Sequence, residues 1–334
     1  MKLKDYILYW YQTYRMPHQQ KNTQTAFMSL INNHILTSTL ADKELGSITA
    51  RDCQEFLTNE YMHGCKVKLT NFNKLGSPLS AHSVIKLRQI LIATLRQAVK
   101  EGFINRNIAE DTEPVRLPWH DNPVFTPEMQ HKFLQSVKNH RFYTAYVLMF
   151  YLGCRRSEIL GLSWDAIDFR RNILRIRQVL IIEHGKLTLR EQTKTKASIR
   201  TIPFPKEIKY ILQEWRKKQK SESAASGYSN KLNLVFTNKD GSPHSPTYFS
   251  RNFKTMVKKL DFCSNDLHVH SARHTWATNM IQCGISITDV QAIGGWSRPD
   301  TLLNIYSHTV KESQRKAMRS EERRVGKECR SRWS

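Results

Sequence analysis

Residues 142–164 read FYTAYVLMFYLGCRRSEILGLSW. From Phe142 to Leu152 the run carries no charge, and it is longer than an ordinary strand. It therefore reads as a long apolar helix broken at Gly153. Two arginines, Arg155 and Arg156, follow the break, with Glu158 two residues further on. Charged residues directly behind an apolar helix are either a solvated face or the rim of a site, and the flanking sequence has to decide.

Downstream, NILRIRQVLII (172–182) and KLTLREQ (186–192) read as strands joined by EHGK (183–186), and SIRTIPF (198–204) as another short strand. Residues 216–231, RKKQKSESAASGYSNK, read as a polar loop. SARHTWATNMIQCG (271–284) and SITDVQAIGG (286–295) read as helices again. Upstream, TPEMQHKFLQSV (126–137) opens a helix with Thr126 as N-cap and Pro127 at the first helical position. Residues 111–123, DTEPVRLPWHDNP, hold three prolines and no periodicity, a linker composition. A domain boundary is placed near residue 118.

Residues 1–118 read as a small bundle of about four helices. Thr49 with Asp52 three residues on marks a helix start. In residues 80–103, Val84, Leu87, Leu91, Leu95 and Ala98 recur in steps of three and four, and Gly102 stops the helix. Phe27, Leu30, Ile31 and Ile35 form a weaker stripe. The fold class is mainly α with a small β-sheet (α+β): a helical bundle, then a mixed α/β domain over 119–318.

The chain has 334 residues, with 52 basic and 29 acidic side chains, a net charge of +23 and a pI near 9.9. Such an excess gains free energy by displacing counterions from nucleic acid. Residues 1–118 hold 15 basic and 10 acidic side chains; residues 119–318 hold 31 and 16. No apolar stretch approaches the roughly 18 residues of a membrane span, and no signal peptide is read at the N-terminus. The six cysteines, at 53, 65, 154, 263, 283 and 329, include no Cys-x-x-Cys pair, which points to reduced thiols in a cytoplasm. No metal and no cofactor is called for.

Residues 319–334, RSEERRVGKECRSRWS, have neither apolar periodicity nor turn logic. They resemble the in-frame translation of a sequencing-library adapter, the alternative being a disordered basic tail, and they are set aside.

Near the other end of the second domain, GGWSRPDTLLNIYSH (294–308) places Tyr306 between an apolar run and Ser307–His308. As a nucleophile on a phosphodiester, a phenol with a pKa of about 10 needs help losing its proton. The phosphorus transition state needs fixed cations, for which the arginine fork is suited. The leaving 5′-oxygen needs a general acid. All of these occur in one domain. LGCRRSE supplies Arg155, EQTKTKASIR supplies Lys194, HVHSARHT supplies His270 and Arg273 three apart, and Trp296 stands ten residues before Tyr306.

The ordered set G-x-R-x-x-E, T-K-T before a short strand, H-x-x-R-H-T, G-G-W and a late tyrosine resembles the tyrosine recombinases of the phage-integrase family over roughly residues 1–315. The resemblance implies a core-DNA-binding bundle and a catalytic domain that clamp DNA between them. It implies that Arg155 and Arg273 hold the scissile phosphate, Lys194 protonates the 5′-oxygen and His270 assists at the tyrosine. Trp296 would stand where many members have a second histidine, packing or donating to the phosphate, and Tyr306 would form a 3′-phosphotyrosyl bond. Glu158 would orient the Arg155 turn. The resemblance further implies a homotetramer on two paired double-stranded DNA sites, with DNA-bending or excisionase accessory proteins, in the integration or excision of a mobile element.

The residues also have plainer readings. Arg155 and Arg156 alone would be a solvated face. Lys196 competes with Lys194 as general acid. His270 and His274, four apart, have metal-ligand spacing but no third ligand, and His274 reads as a buried, hydrogen-bonded histidine. Ala272 stands where a larger apolar residue is frequent. Met1 leads almost directly into DYILYWYQTY, so an arm-binding domain is either lacking or outside the sequence. Two other functions compete: a type IB-like DNA relaxing enzyme, and a non-catalytic DNA-binding regulator.

Overall fold

The structure is a computed structural model that describes residues 1–66, 75–117, 123–183, 185–191, 199–260, 266–299 and 302–303. The chain divides into two compact units, Met1–His120 and Asp121–Ser334. No helix among the described residues is long and apolar enough to cross a membrane.

The first unit holds four α-helices among its described residues: α1 (Leu3–Trp10), α2 (Lys21–Leu30), α3 (Ala50–His63) and α4 (Ala81–Lys100). Both α1 and α2 run on into a wider π-turn, Tyr11–Arg15 and Ile31–Ile35. The Thr49 hydroxyl accepts from the Asp52 amide and the Asp52 carboxylate accepts from the Thr49 amide, the reciprocal cap that starts α3. The α4 stripe Val84, Leu87, Leu91, Leu95 and Ala98 is buried, and it packs with Tyr6, Ile7, Trp10, Ile31, Ile35 and Leu57. Gly102 follows at φ +79°.

The second unit is built on α6 (Tyr143–Leu152), in which Thr144 to Phe150 and Leu152 are all buried. A helix without a polar face needs neighbours on every side. These include α5 (Pro127–Ser136), α8 (Lys206–Ser226), α9 (Pro246–Lys258) and α10 (Val269–Gln282). Aromatic rings fill the space between them: Phe133 lies 4.8 Å from Phe253, and Phe142 4.8 Å from Phe249. The short α7 (Arg156–Leu160) leads to the strands, and α11 (Ile287–Gly294) follows α10. Thr126 caps α5 with Pro127 at its first position, as the sequence indicates.

Strands β1 (Ile167–Asp168), β2 (Ile173–Ile176) and β5 (Arg200–Pro203) form an antiparallel sheet in the order β1-β2-β5; β3 (Gln178–Glu183) pairs with β4 (Lys186–Glu191) in a separate two-stranded hairpin. Residues 172–182 are thus two strands rather than the single one expected. Ile176 pairs with Arg200 in one sheet and Gln178 with Glu191 in the other. The chain changes partner at Arg177, beside Gly161. A Cβ on that glycine would lie 2.7 Å from the Leu180 backbone nitrogen, and Gln178 Nε2 donates to its carbonyl at 2.7 Å.

A second correction concerns residues 216–231. Most of this stretch is helix, because α8 continues to Ser226 and stops at Gly227, φ +64°. The polar composition hid one inward face: Ile208, Leu212, Trp215 and Gln219 are buried. Gln219 accepts from Trp164 Nε1 at 2.7 Å and donates to the Leu234 and Val235 carbonyls and Thr237 Oγ1. Arg141 pairs with Glu222 at 2.7 Å one turn later.

Candidate active site

The site gathers at the C-terminal end of α11. Gly294 closes the helix, and Gly295 reverses the chain at φ +70°. Neither tolerates a side chain easily, since a Cβ on Gly294 would meet the Trp296 ring at 1.9 Å. Three consecutive carbonyls left over by this helix end receive three arginines. Arg200 Nε donates to the Ile293 carbonyl at 2.6 Å. Arg273 Nη2 donates to that of Gly294 at 2.6 Å. Arg155 Nη2 donates to that of Gly295. The negative end of the helix dipole suits cations, so the fold uses unsatisfied carbonyls as a rack for guanidinium groups.

Each arginine arrives from a different element. Gly153 ends α6 at φ +63°, and its carbonyl accepts Arg273 Nη1 at 2.5 Å. Arg155, just before α7, is held by Glu158: its amide donates to Oε2 at 2.8 Å and its Nη1 to Oε1 at 2.7 Å. Arg273 lies in α10 and is 3% exposed. Beneath it Trp296 presents its ring face at 3.6 Å from Arg273 Cζ, and Trp296 stacks on Trp276.

Glu158 is fully buried and receives both terminal nitrogens of Arg200, at 2.9 and 2.8 Å. Burial pushes its pKa upward. The hydrogen bonds and charge of Arg200, then Arg155 and Arg273, more than offset this and hold it at about 2. One carboxylate thus faces three guanidinium groups, leaving a cationic excess. Arg273 shows the strain of that excess. Its pKa is well below the arginine range because it is buried and because Arg155 is near. An anion placed there relieves it.

His270 sits in the first turn of α10. The residue as a whole is exposed, yet its pKa is lowered to about 4, first by desolvation of the imidazole and then by Arg156, His268, Arg273 and Arg155. Its neutral form is the resting one. Arg156 is half-buried and bonded to Ser250 Oγ at 2.7 Å, not a solvated face. His274, expected to be buried and hydrogen-bonded, is only partly buried, and its Nδ1 has no hydrogen-bond partner among the described residues.

Of the residues singled out in the sequence, Arg155, His270, Arg273 and Trp296 come together here. Lys194, with its competitor Lys196, and Tyr306 lie outside the described residues. Sequence reasoning missed Arg200, whose only signal was an inward position in a short strand with the alternating burial of β5. It also missed the backbone carbonyls of Gly153, Gly294 and Gly295, which no side-chain motif reports.

The sequence matches the phage integrase family over residues 124–313. It is 28% identical over 291 residues to a XerC-like tyrosine recombinase of Caldanaerobacter subterraneus, covering 79% of this chain and 74% of that protein. It is 24% identical over 325 residues to the transposase of transposon Tn916 from Enterococcus faecalis, covering 92% and 74%. The fold is similar to that of the Tn1549 transposon integrase solved with transposon right end DNA, at a TM-score of 0.79 and 21% identity over 96% of this chain and 99% of that one. It is less close to a lambda integrase dimer bound to a core site, TM-score 0.63 and 17% identity over 91% and 77%. Since the family match spans more than half of the sequence, the chain belongs to the phage integrase family, the tyrosine recombinases.

Proposed function

We propose that this site-specific DNA recombinase cuts and rejoins the double-stranded DNA of a mobile element through a 3′-phosphotyrosyl bond to Tyr306. In this reading residues 1–118 are the core-DNA-binding domain and residues 119–318 the catalytic domain. The observation that carries it is the cationic rack at the end of α11, where Arg155 and Arg273 lie beside a neutral His270.

Arg155 and Arg273 hold the non-bridging oxygens of the scissile phosphate as charge builds there. Trp296 backs Arg273. The Tyr306 oxygen attacks phosphorus, forming the O–P bond as the bond from phosphorus to the 5′-oxygen breaks. The phenolic proton passes to His270, and Lys194 gives a proton to the leaving 5′-oxygen. One phosphoester replaces another, so the step consumes no ATP, and the 5′-hydroxyl of a partner strand reverses it. A homotetramer on two paired sites, aided by DNA-bending or excisionase-type proteins, exchanges one strand of each duplex at a time in the cytoplasm.

The test uses a duplex from the flanks of the chain's own gene, nicked just beyond the cleavage point so that the short 5′-hydroxyl strand diffuses away. A covalent protein–DNA band on a denaturing gel, formed by wild type and not by Tyr306→Phe, is the expected result. Intact DNA binding without a band points instead to a regulator. A band with relaxation of supercoils but no junction product points to a relaxing enzyme.

A further inference from the structure

We infer that Arg200 is a positioning residue for strand cleavage: by neutralising Glu158 and tying down the end of α11, it keeps Arg155 from being drawn wholly onto Glu158, so that the remaining N–H groups of the Arg155 guanidinium can grip the scissile phosphate. The inference rests on the recombinase reading above.

Glu158 is a buried carboxylate with two arginine suitors. Arg200 binds it through a two-pronged fork at 2.9 and 2.8 Å, whereas Arg155 gives it one side-chain nitrogen at 2.7 Å and spends another on the Gly295 carbonyl. A forked pair is the stronger and the more directional of the two. With Arg200 in place, most of the Glu158 charge is answered from the sheet side. Without it, the buried carboxylate would lose its forked partner, and among the described residues the cation still paired with it is Arg155. Arg155 would then turn toward Glu158 and away from DNA. Arg200 has a second hold on the site. Its Nε bonds the Ile293 carbonyl at 2.6 Å, one residue before the carbonyl that anchors Arg273. Arg200 is itself 9% exposed, and its place in β5 is fixed by pairing with Ile176 of β2. It therefore touches neither DNA nor the reacting atoms in this scheme. It sets the geometry and the charge of the arginine that does.

The charge argument gives a readout that a merely structural residue would not move. Replacing one non-bridging oxygen of the scissile phosphate by a methyl group makes that phosphate neutral. A neutral centre gains less from the Arg155 charge. For each protein, the single-turnover rate on the ordinary nicked duplex is divided by the rate on the same duplex carrying a methylphosphonate at the mapped cleavage position. Any loss of folded protein cancels in that ratio. In the full-length chain, Arg200→Ala is expected to lower the ratio on the order of 10- to 100-fold, in the same sense as Arg155→Ala. Arg200→Lys, which keeps the charge but not the fork, is expected to fall between Arg200→Ala and wild type. A ratio for Arg200→Ala within about twofold of wild type overturns the inference while leaving the recombinase reading intact. Absence of any covalent product with wild type overturns that reading, and this inference with it.

Discussion

The guanidinium of Arg273 lies 3.6 Å over the ring centroid of Trp296. Arg273 is buried, and its guanidinium donates to the Gly153 and Gly294 carbonyls. A desolvated guanidinium above an indole face gains about 2 kcal/mol from the ring quadrupole. Trp296 in turn stacks on Trp276, ring centroids 6.1 Å apart and planes 9° from parallel. The tryptophan at this position therefore acts as a floor for the Arg273 guanidinium, and most of its contribution is packing.

Shortening that floor is expected to be expensive. Trp296→Ala should destabilise the second unit by about 3–5 kcal/mol, as for other buried aromatic truncations. Trp296→Phe keeps a ring face and should cost clearly less. Urea unfolding of both variants checks the order. Equal losses would show that the ring face contributes nothing specific.

Gly153 and Gly102 make a controlled pair. Both have positive φ, +63° and +79°, but a Cβ at Gly153 would lie 2.3 Å from Trp276 Cε3, while nothing lies within 4 Å at Gly102. Gly102→Ala should cost about 1–2 kcal/mol, the left-handed strain alone. Gly153→Ala adds overpacking against a stacked tryptophan pair, typically a further ~1–3 kcal/mol. It also displaces the carbonyl that holds Arg273, so covalent-adduct yield should fall with it. Denaturation and gel assays on both variants test this, and matching behaviour would refute it.

Acid should unfold the second unit in two stages. His244, His270 and His274 are each lowered to about 4 from an ordinary 6.5, in every case chiefly by desolvation. The unfolded chain takes up their protons first, so stability is full above pH 6.5 and declines as pH falls toward 4. Glu158 has the opposite origin: paired with arginines, its pKa is held at about 2 against an ordinary 4.5. Its contribution is full above pH 4.5 and is lost on the way down to pH 2. The urea midpoint as a function of pH should show both declines. His244→Phe should flatten the upper one and Glu158→Gln the lower one. A profile level from pH 7 to pH 4 would contradict the assignment.

Gln219 is the hub of the helix that composition disguised. Gln219→Leu would leave Trp164 Nε1 without its acceptor, and it would withdraw a donor from the Leu234 and Val235 carbonyls and Thr237 Oγ1. A cost of about 2–3 kcal/mol follows, because the Trp164 indole N–H stays buried without an acceptor, while the Leu234 and Val235 carbonyls keep Asn230 Nδ2 and Trp215 Nε1. Glu214→Ala, on the exposed side of the same helix, should change stability by less than about 0.5 kcal/mol. Thermal melts of the two variants decide whether the buried face or the charged face holds α8.

How much was legible varied with the kind of signal. Thr49–Asp52, Thr126–Pro127 and the α4 stripe are local devices: each is a hydrogen bond or a packing face made within a few residues, and each was readable. The α8 stretch was not. Its inward residues are few, one of them is a glutamine, and their partners at 164 and 234–237 are remote in sequence. The strand break at Arg177 was also hidden, because side chains alternate in the same way whichever sheet the backbone joins.

The sequence by itself determined that residue types suited to phosphate chemistry occur in a fixed order in one basic stretch, because chemistry dictates residue types and the chain displays them. It placed Arg155, His270, Arg273 and Trp296 in that order, and Lys194 and Tyr306 rest on it still. Only the tertiary structure decided what holds the arginines. Arg155, Arg200 and Arg273 come from three separate elements, and the groups that fix them are one buried carboxylate and the spare carbonyls of a helix end. Backbone carbonyls are the same in every residue, so no reading of side chains can announce them. They become a site only when the fold ends a helix at that point and brings the cations to it.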